Sequence, residues 1–269
     1  MLVPDTVSIP GARAEFRRAA APASPLATAF ASLRVENSAE WAWDNYKRVV
    51  RHLSTHFAAH RLIEIGGGRD PLFDRAEIGD LGAEMTINDI APGELAALPA
   101  GYDTACFDVA GDVSGITHLC NSFDLAFSRM VFEHVADGQR AWSNLYELLT
   151  PGGIGLAFVP TLYAVPFVLN WLLPDKLAAS IVKLIYPHRT DMDDPIFPAR
   201  YSWCFADAAR LRAMLTAIGY RDVVVIPFYG HGYYRYFPIV RDLHKRFTQV
   251  ARHRDWRMLA SFAYIAARK

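Results

Sequence analysis

The chain has 269 residues, of which 52% are hydrophobic and 21% charged, enough to bury one substantial core and longer than a bare nucleotide-binding unit requires. Its 28 Lys and Arg balance 28 Asp and Glu, so no overall field draws it to nucleic acid or to an anionic membrane surface. Three cysteines, Cys106, Cys120 and Cys204, have no CxxC spacing and no even count, which excludes a disulfide framework and a zinc site and fits a reducing cytoplasm.

Residues 1–40 read as an N-terminal arm, loosely ordered to about Ser32, with Arg13, Arg17 and Arg18 among Pro and Ala and no secretory h-region. From Trp41 to Leu53, Tyr46, Val50 and Leu53 recur at helical spacing while Asp44, Lys47 and Arg51 can face water, which predicts an amphipathic helix. Arg61–Ile65 is a short apolar strand that ends in Gly66, Gly67 and Gly68. Asp70 and Pro71 then read as the N-cap and first residue of a helix. Apolar runs at Met85–Ile87, Ala105–Phe107, Leu125–Phe127 and Ile154–Phe158 read as buried parallel strands. Trp142, Leu145 and Leu149 form a helical stripe that Pro151 stops, and Leu211, Leu215 and Ile218 form another that Gly219 caps. Val223–Ile226 and Phe262–Ile265 supply two last strands.

This alternation predicts an α/β fold, a doubly wound, mostly parallel seven-stranded sheet spanning residues 41–269, with cap insertions at about 160–201 and 227–256. Ile154–Leu173 is twenty residues long without a charge, the length of a membrane span, but Pro160 and Pro166 interrupt it. It reads instead as a strand followed by a cap, with a helix from Lys176 to Tyr186 closing over the site as a lid.

Glycines are needed where a strand turns sharply beneath a cofactor, because a side chain there blocks its approach to the backbone. Gly66, Gly67 and Gly68 answer that need, although a purely structural turn or a dinucleotide site would use the same residues. Asp89 stands past the second strand, where a carboxylate can accept from both ribose hydroxyls or cap a turn. Asp108 follows the third strand, where it can meet an adenine amino group or lie on the surface.

The order of Glu64 with its glycine turn, Asp89, Asp108, Phe123-Asp124-Leu125, Glu133-His134-Val135 and Leu148-Leu149-Thr150-Pro151-Gly152-Gly153 resembles the class I S-adenosylmethionine-dependent methyltransferases. The branch it resembles most is typified by ubiquinone and menaquinone biosynthesis methyltransferases. The resemblance implies S-adenosylmethionine as cofactor. It implies that Glu64, Gly66 and Gly68, with Gly67 between them, line its methionine part and that Asp89, beside Ile90, holds the ribose. It further implies that Asp108 and Val109 border adenine and that Ser128 and Arg129 stand beside the sulfonium. Some relatives hold a divalent metal through Glu-x-x-Glu-His, but Met130 occupies the first position here, so no metal is expected. Pro71, Leu72 and Phe73 follow the glycines where a redox enzyme favours a small residue, which makes an NAD(P)-dependent oxidoreductase the weaker alternative. A non-catalytic partner protein of the same fold is the other.

His134 and His231 are the candidate bases, with loop stabilisation as the competing role for His134. The insertions are dense in aromatic residues, and Tyr163, Tyr201 and Tyr233 among them are candidates for binding a small, hydrophobic or aromatic acceptor, although such rings also simply pack. A small-molecule acceptor is the expected partner, and a homo-oligomer is left open.

Overall fold

The computed structural model describes residues 24–162, 198–231 and 238–269. Its centre is a seven-stranded sheet in the order β3-β2-β1-β4-β5-β7-β6. The strands are β1 (Arg61–Ile65), β2 (Glu84–Asp89), β3 (Asp103–Cys106), β4 (Phe123–Arg129), β5 (Leu149–Pro160), β6 (Asp222–Phe228) and β7 (Phe262–Arg268). β1 to β5 are mutually parallel, while β7 runs antiparallel between β5 and β6. The sheet is thus the mostly parallel, doubly wound one the sequence predicts. The parallel strands are buried on both faces, as β5 shows with seven successive buried residues from Ile154 to Pro160. β3 departs from the expectation of a buried strand, since it forms the sheet's edge and most of it is exposed.

The helices are α1 (Pro25–Ser32), α2 (Ala39–His56), α3 (Arg75–Leu81), α4 (Pro92–Ala96), α5 (Gly138–Leu148), α6 (Ala208–Ile218) and α7 (Pro238–His253). α2 has the predicted amphipathic character, burying Tyr46, Val49, Val50 and Leu53, and Ser38 caps it by accepting the Trp41 N–H. α1 corrects the loose arm for its own residues. Leu26, Ala29 and Phe30 are buried, and the Leu26 N–H donates to Asp222 at the start of β6. The first 23 residues of that arm lie outside the described ones.

Two helix boundaries also move. Asp70 and Pro71 do not start a helix; α3 begins at Arg75, where Asp74 and Glu77 form a capping box that satisfies two backbone donors at once. α5 stops at Leu148, and Leu149 is already the first residue of β5, so Thr150-Pro151-Gly152-Gly153 lies inside the strand's opening turn. Pro227 and Phe228, assigned to an insertion, belong to β6, and most of the remainder of that insertion is α7.

Both flanks of residues 163–197 are pinned. The Leu162 N–H donates to the Cys204 carbonyl, and the Arg200 and Tyr201 N–H groups both donate to the Glu133 carbonyl. Tyr201 and Trp203 sit at φ of 52° and 60°, left-handed backbone that bulky residues adopt only where their surroundings impose it. Tyr163, Tyr233 and the lid helix at 176–186 lie outside the described residues. Among the described residues no helix is long and apolar enough to cross a membrane.

Candidate cofactor site

In the strand order 3-2-1-4-5 the chain reverses direction between β1 and β4, and a crevice opens above their carboxyl ends. The parallel register sets Ile65 beside Asn88 on one side and Ser128 on the other, so the glycine turn, the end of β2 and the end of β4 meet there.

Gly66 leaves β1 at φ of 69°, and a Cβ on it would lie 2.5 Å from Val131 Cγ2, a collision that rules out any side chain. Gly68, at φ of 47°, would bring a Cβ to 3.1 Å from Asp89 Oδ2. The turn is tied to β2 by the Gly67 N–H, which donates to the Asn88 carbonyl at 2.9 Å. It is a fixed floor without side chains.

Glu64 lies beneath that floor, 2% exposed, and its Oε2 accepts the Leu72 N–H at 2.8 Å. Burial raises its pKa to about 7 against the opposing pull of that N–H and of Arg129. A cationic ammonium brought into this crevice would restore the carboxylate. Asp89 Oδ1 accepts the Ala91 N–H at 2.8 Å, so the turn-capping role holds for one oxygen, while Oδ2 faces Gly68. Ile90 presents 60% of its surface to solvent at the mouth. Asp108 is exposed and accepts the Ala110 N–H, with Val109 buried beside it.

Ser128 supplies the most telling atom. Its side chain is 1% exposed, and its Oγ has no hydrogen-bond partner among the described residues. A buried hydroxyl without a partner costs about 1–3 kcal/mol, a cost a bound polar ligand can relieve. Arg129 follows it, 3.9 Å from the exposed carboxylate of Asp70.

His134 stands on a short 3-10 turn, Phe132–His134, directly after β4. Its Nδ1 is 3.2 Å from the Pro198 carbonyl, which can only accept, so this nitrogen donates there, and its Nε2 lies 3.8 Å from Glu133 Oε1. Next to it Glu133 is buried, with its pKa pushed up to about 8 by burial. His231 is separated from this turn in the fold: it follows β6 and stacks on His244 of α7, ring centroids 4.1 Å apart, and burial lowers its pKa to about 4. Tyr201 is 6% exposed, and its N–H donates to the Glu133 carbonyl.

Four residues that hold the crevice have no site role in the sequence reading. Tyr46 donates its hydroxyl to the Ser128 carbonyl at 2.6 Å, tying α2 to β4. Asn88 donates to the carbonyls of Ala105 and Phe107, and Asn144 to those of Val109 and Gly111, so two buried amides fix the loop that carries Asp108. Trp43, 45% exposed, packs edge-on against Phe158 at 4.9 Å and Phe262 at 5.8 Å, beside the carboxyl end of β5. The helical stripe at 41–53 carried Tyr46 and Trp43 in view; the asparagines left no pattern in the sequence.

The geometry argues against a dinucleotide. In a dinucleotide site the helix after the glycines offers its free N–H groups to the pyrophosphate. Here that helix starts only at Arg75, and its own Asp74 and Glu77 take up its terminal donors. No group of three or more His, Cys, Asp or Glu able to hold a metal occurs among the described residues.

Residues 63–157 match the sequence model of the methyltransferase domain family. Over 115 residues the chain is 30% identical to the biotin biosynthesis bifunctional protein BioHC of Cellvibrio japonicus (strain Ueda107), a match covering 43% of this chain and 22% of that protein. Among solved structures, the CurJ carbon methyltransferase is similar with a TM-score of 0.50 at 15% identity, over 90% of this chain and 58% of that one. Phosphoethanolamine N-methyltransferase 2 of Haemonchus contortus, solved with S-adenosyl-L-methionine, gives a TM-score of 0.48 at 18% identity, over 84% of this chain and 52% of that one. A sheet of this order with a glycine floor at its switch point defines a class I methyltransferase fold. The sequence match to that domain family is confined to residues 63–157, which run from within β1 to within β5.

Proposed function

We propose that the protein transfers a methyl group from S-adenosylmethionine to a small hydrophobic or aromatic acceptor at the carboxyl edge of its sheet. The observation that carries the reading is the crevice itself. It combines a glycine floor, the buried Glu64, Asp89 Oδ2 and the unpartnered Ser128 hydroxyl, polar partners that suit the ammonium and ribose hydroxyls of a charged nucleoside with an amino acid tail.

In this reading Glu64 faces the ammonium end, Asp89 accepts from the ribose hydroxyls, Ile90 and Val109 cover adenine with Asp108 at its amino edge, and Ser128 and Arg129 flank the reacting centre. When bound, the cofactor supplies a sulfonium methyl carbon open to in-line attack. The protein's own contribution is to align and to exclude water, which can supply most of the acceleration when the nucleophile is held at near-attack distance. Trp43, Phe158 and Phe262 offer an apolar wall at the end of β5 for a flat or aliphatic acceptor. His134, oriented by the Pro198 carbonyl and close to Glu133, is the base for an acceptor that must lose a proton. A cap formed by residues about 160–201 belongs to the same proposal.

The test is a thermal-shift titration with S-adenosylmethionine, its demethylated product and NAD, since a ligand that binds only the native state raises the melting temperature. The first two should stabilise and NAD should not; a shift with NAD alone overturns the reading. For any acceptor then found, His134→Ala should lower turnover at least tenfold with cofactor affinity unchanged. Equal turnover across the pH range would leave His134 a loop residue.

A further inference from the structure

Eight large hydrophobic side chains are exposed among the described residues, and six of them, Ile239, Leu243, Phe247, Val250, Trp256 and Met258, fall in α7 and the turn after it. At about 100° per residue, Ile239, Leu243, Phe247 and Val250 share one stripe roughly 80° wide along a helix about 24 Å long. The stripe is not the surface by which α7 rests on the protein. Ala251 is buried, and His244 and Thr248, on the same side as Ala251, are half-buried, with His244 against His231.

Charge is concentrated in the same place. Residues 238–258 hold Arg241, Lys245, Arg246, Arg252, Arg254 and Arg257 against Asp242 and Asp255, a net +4 in a chain whose total is zero. Arg246 borders the apolar stripe and Arg254 closes its far end, where long stems can lie along hydrocarbon while the guanidinium groups reach outward.

We infer that this face of α7 docks on an anionic phospholipid surface, lying in the headgroup plane with Leu243 and Phe247 inserted. The charge selects this occupant over a second copy of the chain, because an antiparallel two-fold contact through the stripe would set Arg246, near the middle of the helix, against its own counterpart, whereas lipid phosphates pair with it. The location fits. β5 and β6 end level with each other, since Pro160 and Phe228 both pair with Phe262, and α7 begins ten residues beyond that edge. A docked helix would therefore hold the carboxyl edge of the sheet near the source of a lipid-soluble molecule, although the docking itself does not depend on the acceptor proposed above. The balanced total charge, which argued against any membrane surface, averages over this segregation.

The test is co-sedimentation of the full chain with vesicles of phosphatidylcholine containing phosphatidylglycerol, and with vesicles of phosphatidylcholine alone. Binding should be at least tenfold stronger to the anionic vesicles and should weaken with added salt. Leu243→Ser with Phe247→Ser, and separately Arg246→Glu with Arg254→Glu, should each lower it at least tenfold, while an unchanged S-adenosylmethionine thermal shift confirms that both variants are folded. Absence of sedimentation with anionic vesicles would overturn the inference, as would binding that both variants retain. A concentration-dependent dimer in light scattering that Leu243→Ser abolishes would assign the stripe to a second copy instead.

Discussion

The two sides of the sheet's switch point are held by different physics. From β1 to β3 the strand ends are fixed by directed polar bonds: Asn88 and Asn144 each grip two carbonyls, Asp89 caps its own turn and Gly67 is bonded to β2. From β5 to β6 they end on rings packed edge to face or tilted. Phe158 meets Trp43, Tyr46, Phe262 and Tyr264 at centroid distances between 4.9 and 5.8 Å, and Phe228 meets Tyr264 at 4.5 Å. Directed bonds fix atoms to a few tenths of an ångström, as a charged nucleoside needs, whereas ring packing supplies area and tolerates exchange of one apolar shape for another. In the proposed reading, the cofactor makes the first demand and the acceptor the second.

The contrast can be broken by substitution on either side. The largest expected effect is on the ring side, where Phe158→Ala should cost about 3–5 kcal/mol of stability in denaturant unfolding while the folded variant keeps its cofactor affinity. Affinity lost in proportion to stability would mean the two halves are not separable. Asp89→Ala reverses the pattern: cofactor binding by calorimetry should weaken at least tenfold, for about 1 kcal/mol or less of apo stability. Equal affinity in variant and parent would remove Asp89 from the site.

Glu64 sharpens the same comparison through pH. Its pKa is raised from 4.5 to about 7, so the folded chain keeps a proton that the unfolded chain has lost between those values, and stability is full below pH 4.5 and declines up to pH 7. Glu64→Gln should therefore stabilise the apo protein above pH 7 by on the order of 1–2 kcal/mol, seen as a higher melting temperature, leave it unchanged near pH 4 and weaken cofactor binding. A variant less stable than the parent at pH 8 would contradict the burial cost.

The smallest expected effect concerns α7. Burial lowers His231 to about 4 and also lowers His244, so the folded state binds fewer protons than the unfolded one below pH 6.5, and the contact weakens as pH falls toward 4. Hydrogen-exchange protection across Leu243–Ala251 should drop by about threefold to tenfold between pH 7 and 5, and His244→Gln should flatten that dependence. A parent whose protection is constant with pH would show that the stacked pair does not fasten the helix.

What the sequence made legible follows the same division. Strand positions and the glycine turn were readable because buried parallel strands leave unbroken apolar runs and a cofactor floor admits only glycine. The start of α3 was misread because Asp70-Pro71 carries a helix-start signal, and the capping box four residues later satisfies more backbone donors. Asn88 and Asn144 were illegible, since an amide that grips distant carbonyls has no periodicity, and Asn144 acts 33 and 35 residues from its partners. The exposed apolar stripe of α7 is hidden in the sequence because its residues fall within a segment of mixed charge that the alternation of strands and helices does not cover.

The hydrogen bond from the Leu162 N–H to the Cys204 carbonyl, described above as a pin, also has an evolutionary and engineering consequence. It closes everything between those residues into a loop whose two stems touch. The entropic cost of such a loop grows only logarithmically, about 0.6 kcal/mol for each doubling of its length. A change in the number of residues between 163 and 197 should therefore cost the sheet little, provided that Arg200, Tyr201 and Ser202 are kept, because they bond to the Glu133 carbonyl and the Gly138 N–H.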